Sequence, residues 1–184
     1  MRNYIAFVGQ KDDTLDERTG YYGERLVLLA QQLGLNTCWV AATYRKKKCP
    51  AVVNPGEKLV CVIALGYGLW RGKPHVGRPA TELSNLTAAS PDWFRRGMEA
   101  VLLAPTARNQ QRFFFQQSGD AVSVRSTGGS YSKIDLGIVK YHFELGAGAE
   151  NFRWADAPQT VSEEAAIAEA ETECAVEAET EENV

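Results

Sequence analysis

Apolar positions along this chain recur with two different spacings, and their alternation predicts the elements. Tyr4, Ile5, Phe7 and Val8 crowd the stretch from Asn3 to Gly9, a short apolar run that reads as a buried strand. Lys11 to Thr19 is charged and reads as a loop. From Gly20 to Gly34, Tyr22, Leu26, Leu29, Ala30 and Leu33 recur at helical spacing, predicting an amphipathic helix that Gly34 stops. Asn36 to Ala42, with Trp39 and Val40, is a short extended segment, and Tyr44 to Pro55 is a loop carrying Lys46, Lys47 and Lys48. Lys58 to Leu65 is rich in Val and Ile without polar alternation, the pattern of a central strand covered on both faces. Gly66 to Pro79 is a Gly- and Pro-rich turn region holding Arg71, Lys73, His75 and Arg78.

In the second half, Ser90-Pro91-Asp92 predicts a helix start, with Ser90 as N-cap, Pro91 in the first position and an acid in the first turn. Trp93, Phe94, Gly97, Met98, Val101 and Leu102 then give one apolar face up to Ala104. Arg112 to Gln117 and Ala121 to Arg125 read as two strands, and Ser126 to Ser132 as a Gly/Ser loop. Asp135 starts another helix through about Leu145, with Leu136, Val139 and Phe143 on one side, and Asn151 to Trp154 is a last short strand. The order of elements predicts an α+β or α/β domain with a central sheet.

Composition adds limits. The length of 184 residues fits one domain. No apolar stretch reaches the roughly 18 to 20 residues that a membrane span needs, and positions 1 to 9 lack the apolar core and cleavage site of a signal peptide. Cys38, Cys49, Cys61 and Cys174 form no CxxC pair and only two histidines exist, which argues against a zinc site. Isolated cysteines of this kind read as reduced thiols of a cytoplasmic protein. His142 falls on the last predicted helix, more as a packed or surface histidine than as a reacting one.

The net charge of -3 hides an asymmetry. Ten of the 23 acidic residues lie from Asp156 onward, where no Lys or Arg occurs, so residues 1 to 155 carry 20 basic against 13 acidic side chains. A basic body suits anionic ligands. Basic and aromatic residues do not interleave on one element, so a phosphorylated cofactor fits better than nucleic acid. The chain therefore divides into a domain over 1–154 and a tail over 155–184 that is Ala- and Glu-rich, lacks large apolar residues and is expected to be disordered.

The run Ala104-Pro105-Thr106-Ala107-Arg108-Asn109-Gln110-Gln111 joins a helix to the aromatic strand Arg112-Phe113-Phe114-Phe115. Pro105 stiffens it, Thr106 offers a hydroxyl, and Asn109 and Gln111 each carry a donor and an acceptor on one amide. Such groups suit a flat ring of alternating carbonyls and ring nitrogens, and a flavin has one.

Three stretches together resemble the nitroreductase family of FMN-dependent oxidoreductases, most of all its subgroup with rearranged halves. The first runs from Gly20-Tyr21-Tyr22-Gly23-Glu24 through the helix to Gly34-Leu35-Asn36-Thr37-Cys38-Trp39-Val40. It resembles the family's helix and the loop whose backbone faces the flavin. The second is Glu57 to Gly66 followed by Lys73-Pro74-His75-Val76-Gly77-Arg78-Pro79, similar to the strand and basic turn near the FMN phosphate. The third, Pro91 to Phe113, is similar to the family's Pro-Ser-x-x-Asn-x-Gln-Pro-Trp run, with Thr106 for Ser, Arg112 for Pro and Phe113 for Trp.

This resemblance, over roughly positions 3 to 154, implies a nitroreductase-like α+β fold with a mostly antiparallel central sheet flanked by helices. It implies FMN as cofactor, NAD(P)H as electron donor and an organic acceptor such as a nitro compound or quinone. Pro105, Thr106, Ala107, Asn109 and Gln111 would line the isoalloxazine and ribityl chain. Val40, Ala41 and Ala42 would set backbone groups at the reactive edge, and Arg78 and Lys73 would neutralise the phosphate. No catalytic residue and no metal ligand is implied. Competing readings make Asn109 a turn cap and Arg78 a surface charge. The family's opening Arg-Arg-Ser-x-Arg type helix has no counterpart before Asn3, so the fold is expected to be incomplete at the N-terminus. That departure motivates the alternative of a non-catalytic remnant or subunit with weak or no flavin binding. A homodimer is a further expectation. DNA binding and membrane association are not expected.

Overall fold

The computed structural model describes residues 3–69 and 76–155. Strands β1 (Tyr4–Gln10), β2 (Asn36–Val40) and β3 (Glu57–Gly66) make one sheet in the order β1-β3-β2, antiparallel throughout. Strands β4 (Phe113–Ser118), β5 (Ala121–Ser126) and β6 (Arg153–Trp154) make a second, an antiparallel hairpin with a short parallel strand added. Helices are α1 (Leu15–Gln32), α2 (Ala80–Leu83), α3 (Asp92–Val101) and α4 (Ser132–Ala147). This is a mixed α+β fold of antiparallel sheets flanked by helices. Where one central sheet was expected, the strands divide into two three-stranded sheets. β3 is central in its sheet as its composition predicts, with Cys61, Val62 and Ile63 buried and Ile63 opposite both Ile5 and Trp39.

Helix α4 packs against α1 on one side and α3 on the other. Two glycines permit the α1–α4 approach. A Cβ on Gly20 would lie 1.9 Å from the Ile134 carbonyl oxygen, and one on Gly137 would lie 1.9 Å from that of Glu17. This closeness reverses the expected orientation of α1. Its buried residues are Leu15, Thr19, Gly20, Gly23, Glu24 and Ala30, small or polar for the most part. The stripe Tyr22, Leu26, Leu29 and Leu33, which gives the helix its period, is 38 to 65% exposed. A seam of glycines leaves no room for large side chains, so these turn outward. The helix also begins at Leu15, inside the stretch expected to be loop, with Asp16 and Glu17 in its first turn favoured by the helix dipole. It stops as predicted: Gly34 adopts φ 76°, and the Leu35 N–H returns to the Ala30 carbonyl at 2.9 Å.

Helix α3 differs at its start. The Pro91 carbonyl accepts from the Phe94 and Arg95 N–H groups at 3.0 and 3.2 Å, so Pro91 is the N-cap. Ser90 is not, because its Oγ accepts from the Thr87 N–H at 3.0 Å. Phe94, Gly97, Met98 and Val101 of α3 are buried. Phe94, Phe115 and Phe143 are fully buried, and Phe115 stacks on Phe143 with ring centroids 5.0 Å apart. Burying each such ring contributes on the order of 2 to 3 kcal/mol.

One buried polar knot ties the helices to β2. His142 Nδ1 lies 3.1 Å from the Ala100 carbonyl, which can only accept, so Nδ1 carries a proton. His142 Nε2 lies 2.9 Å from Glu24 Oε1, and the Trp39 indole donates to Glu24 Oε2 at 3.3 Å. His142 is thus a packed histidine with both nitrogens engaged. Helix α4 starts at Ser132, ahead of the expected Asp135, and the expected last strand shortens to Arg153–Trp154. Among the described residues no helix is long and apolar enough to cross a membrane, and no group of three or more potential metal ligands occurs. Arg71, Lys73, His75 and the tail beyond Ala155 lie outside the described residues.

Candidate functional site

A cavity of about 470 Å³ opens between the end of β2, the turn after α3 and the start of α4. This is the size range of small-molecule sites. Pairing with β3 carries β2 as far as Val40, opposite Val62, and the chain then leaves the sheet through Ala41, Ala42 and Thr43 along one side of the cavity. On the other side α3 ends, Ala104 anchors in the core at 2% exposure, and Pro105, Thr106, Ala107 and Arg108 form the facing wall. Ile134, Asp135 and Ile138 of α4 add apolar surface and one carboxyl, with Ser130 and Tyr131 before the helix. Trp39 and the buried thiol of Cys61, pushed up to about 12 chiefly by burial, complete the β-sheet side.

Short bonds set the turn at 106–111. The Asn109 N–H donates to the Thr106 carbonyl at 2.9 Å, and the Gln110 N–H to that of Ala107 at 3.1 Å. The Gln111 N–H donates to Thr106 Oγ1 at 3.0 Å. Asp135 receives the Ala107 N–H at 2.9 Å on one oxygen and Gln110 Nε2 at 2.7 Å on the other. Gln110 Nε2 also donates to the Ser130 carbonyl at 2.9 Å, tying the turn to the loop before α4. Burial pushes the Asp135 carboxyl above its ordinary value of 3.8, and the bonds from Gln110 and Ala107 pull it back in part.

Backbone strain gathers at the same place. Among the described residues, the non-glycine positions with positive φ are Arg108 (54°), Asn109 (53°), Gln111 (48°) and Tyr131 (62°). Each costs on the order of 1 kcal/mol or more and persists only where its surroundings hold it. All four lie on the cavity's turn or on the segment facing it.

The structure brings Val40, Ala41, Ala42, Pro105, Thr106 and Ala107 together on one cavity. It places Asn109 and Gln111 elsewhere, since neither is among the cavity's lining residues. Asn109 Nδ2 donates to the Val76 carbonyl at 2.8 Å, Gln111 Nε2 donates to Asn109 Oδ1 at 3.0 Å, and Gln111 Oε1 accepts the Arg78 N–H at 2.8 Å. These amides hold the backbone of 76–78 against the turn. Arg78 gives its guanidinium to Glu82, with Nη2 at 3.0 Å and Nε at 3.1 Å. Lys73 lies outside the described residues. Sequence reasoning missed Asp135, Gln110, Arg108 and Tyr131. An acid one turn into a helix that follows a Gly/Ser loop was the available sign for Asp135. No local pattern marks Tyr131.

The cavity is largely apolar, with one buried acid in its lining, and it sits in an α+β domain of antiparallel sheets flanked by helices. The chain belongs to the nitroreductase family whose model is described as "Putative TM nitroreductase", which matches residues 1–147. Among solved structures it is similar to the crystal structure of a "putative nitroreductase" from Thermotoga maritima, with 26% identity and a TM-score of 0.64. That likeness covers 80% of this chain and 61% of the other, so the chain spans less than two thirds of that protein's length. No curated protein matches.

Proposed function

We propose that the protein is an FMN-dependent oxidoreductase of nitroreductase type, passing reducing equivalents from NAD(P)H to an organic acceptor such as a nitro compound or quinone. The observation that carries this reading is the meeting of Val40–Ala42 with Pro105–Ala107 on one cavity, from segments more than sixty positions apart in sequence. The lining fits a flat heteroaromatic ring. Val40, Ala41, Pro105 and Ile134 offer apolar contact, while Thr106 and the backbone of 41–43 offer polar groups at the edges. Bound there, FMN would supply the redox chemistry, and the protein supplies position and exclusion of water. Pro105 and Ala107 hold one face of the slot, and Asp135 fixes that face by accepting the Ala107 N–H. Thr106 has its hydroxyl occupied as an acceptor from Gln111 and keeps its own proton to donate.

A second reading, a nitroreductase-like protein with weak or no flavin binding, rests on one observation: Arg78, the phosphate candidate, is paired with Glu82. The absorbance spectrum with and without added FMN separates the two. The enzyme reading expects a yellow protein that bleaches on adding NADH or NADPH. A colourless protein that gains no flavin spectrum sinks it.

The exposed stripe of Tyr22, Leu26, Leu29 and Leu33 supports a homodimer through α1, because contiguous apolar surface of this kind marks an interaction site. Sedimentation showing only monomer at micromolar concentration would remove that part. Cytoplasmic residence belongs to the same proposal, and the free thiols of Cys38, Cys49 and Cys61 agree with it.

A further inference from the structure

Of the charged residues on the cavity wall, Asp135 is buried and fully engaged, whereas Arg108 is exposed and has no partner among the described residues. Of the other described arginines, Arg45, Arg96 and Arg112 likewise make no side-chain hydrogen bond, ion pair or ring contact, but none of them lines the cavity; the rest are engaged. Arg18, Arg78 and Arg153 pair with Asp12, Glu82 and Asp120. Arg25 and Arg125 lie over aromatic rings, and Arg95 reaches the Ser90 carbonyl. Arg108 has no hydrogen bond, ion pair or ring contact among the described residues, and it lines the cavity that the redox reading assigns to the ring.

Its placement is built. Arg108 sits at φ 54°, ψ 23°, a conformation that an arginine adopts only under constraint. The constraint is visible on both sides. The Ala107 N–H before it is fixed by Asp135, and the Asn109 N–H after it closes back on the Thr106 carbonyl. The turn therefore fixes the backbone from which the Arg108 side chain leaves. Tyr131, also left-handed at φ 62° and 44% exposed, lines the same cavity from the loop that Gln110 ties to this turn. A guanidinium is planar, permanently charged and matched to carboxylate and phosphate oxygens in pairs.

We propose that Arg108 is a specificity-determining residue that selects substrates carrying an anionic group beside a flat ring. The anion would be the carboxylate of an aromatic acceptor or the phosphate of a nicotinamide donor. The assignment rests on the redox reading for the identity of these substrates.

The test is equilibrium binding to the full chain by titration calorimetry, using two matched pairs of probes. One is 4-nitrobenzoate against 4-nitrobenzamide; the other is reduced nicotinamide mononucleotide against its uncharged riboside. The full chain is expected to prefer the anionic member of one pair by about tenfold, with the preference falling as salt rises. Arg108→Gln should abolish the preference without weakening the neutral member, and Arg108→Lys should keep part of it. A preference in the first pair puts the anion on the acceptor; one in the second puts it on the donor. Equal affinities within both pairs, or a preference that survives Arg108→Gln, overturns the proposal. Arg108 is exposed, so the variants should fold, which circular dichroism checks. Binding is read without turnover, so a protein that discriminates anions yet never reduces an acceptor sinks the redox reading alone.

Discussion

The two walls of the cavity are built on different principles. The 40–43 wall is simply the end of an edge strand: its last ladder partner is Val40, and Ala42 and Thr43 are exposed and carry no side-chain bond among the described residues. The 105–111 wall is over-determined. Side chains and backbone bind it to the Asp135 carboxylate, the Ser130 carbonyl and the 76–78 segment, and that network holds three left-handed non-glycine residues. One wall is positioned by sheet register, the other by a polar network that stores strain. Networks of this kind are costly when broken in part. The strained wall should therefore respond sharply to single substitutions, and the plain wall hardly at all.

The largest effect is expected from neither wall but from the seam behind both. Gly137→Ala would drive a Cβ to 1.9 Å from the Glu17 carbonyl and 2.5 Å from the Tyr21 nitrogen, both backbone atoms that cannot swing away. Separating α1 from α4 should cost about 3 kcal/mol, at the upper end of overpacking penalties. It should loosen both walls together, read as a lower urea midpoint and loss of any ring ligand. An effect below about 1 kcal/mol would mean that the helices have slack and that the walls do not depend on this contact.

Asp135 carries the next effect. Asp135→Ala leaves the part-buried Ala107 N–H without its acceptor and removes one of the two bonds made by Gln110 Nε2, at roughly 2 kcal/mol, and should weaken the proposed FMN binding. Asp135→Asn is milder, because its amide oxygen can still accept from Ala107. The pH dependence separates the two states of this acid. Its folded value is raised above 3.8, so the folded protein holds the proton more tightly than the unfolded chain. Wild-type stability should then fall as pH rises from about 3.8 through the raised folded value, relative to Asp135→Asn measured in parallel. Parallel urea midpoints across that window would show that the carboxyl is not destabilised by burial.

These contrasts also explain what was legible in the sequence. The 104–111 run stood out because Pro, Thr, Asn and Gln between an apolar helix and an aromatic strand are locally informative. Which of its side chains face inward was not, because that depends on Asp135 and Val76, both more than twenty positions away. Asn109 and Gln111 look like ligand groups in isolation and turn out to brace the neighbouring segment. Helix α1 shows the same limit in its packing. Periodicity located it, yet the stripe with the strongest period faces out, because Gly20 and Gly137 settle the contact and a glycine adds nothing to an apolar pattern. The strands of both sheets were readable from composition, since β3 is apolar on both faces and the Phe113–Phe115 run is strongly β-forming. Their division between two sheets was not, because pairing partners are set by long-range contacts.

The smallest effect tests the plain wall. Ala42 is exposed, lies beyond the last ladder pair of β2 and makes no side-chain bond among the described residues. Ala42→Ser adds one hydroxyl where water already reaches. Stability should stay within about 0.5 kcal/mol, as at most surface positions free of special features. Binding is a different matter, because Ala42 lines the cavity and the added hydroxyl could meet the polar rim of the proposed ring. A change of a few-fold in FMN affinity with an unchanged urea midpoint would show that this wall contributes to binding without contributing to the fold. A loss of more than about 1 kcal/mol would show instead that the segment after Val40 is braced as tightly as the one after Ala104. The difference between the walls would then be one of appearance, with sheet register and polar network equally able to fix a cavity edge.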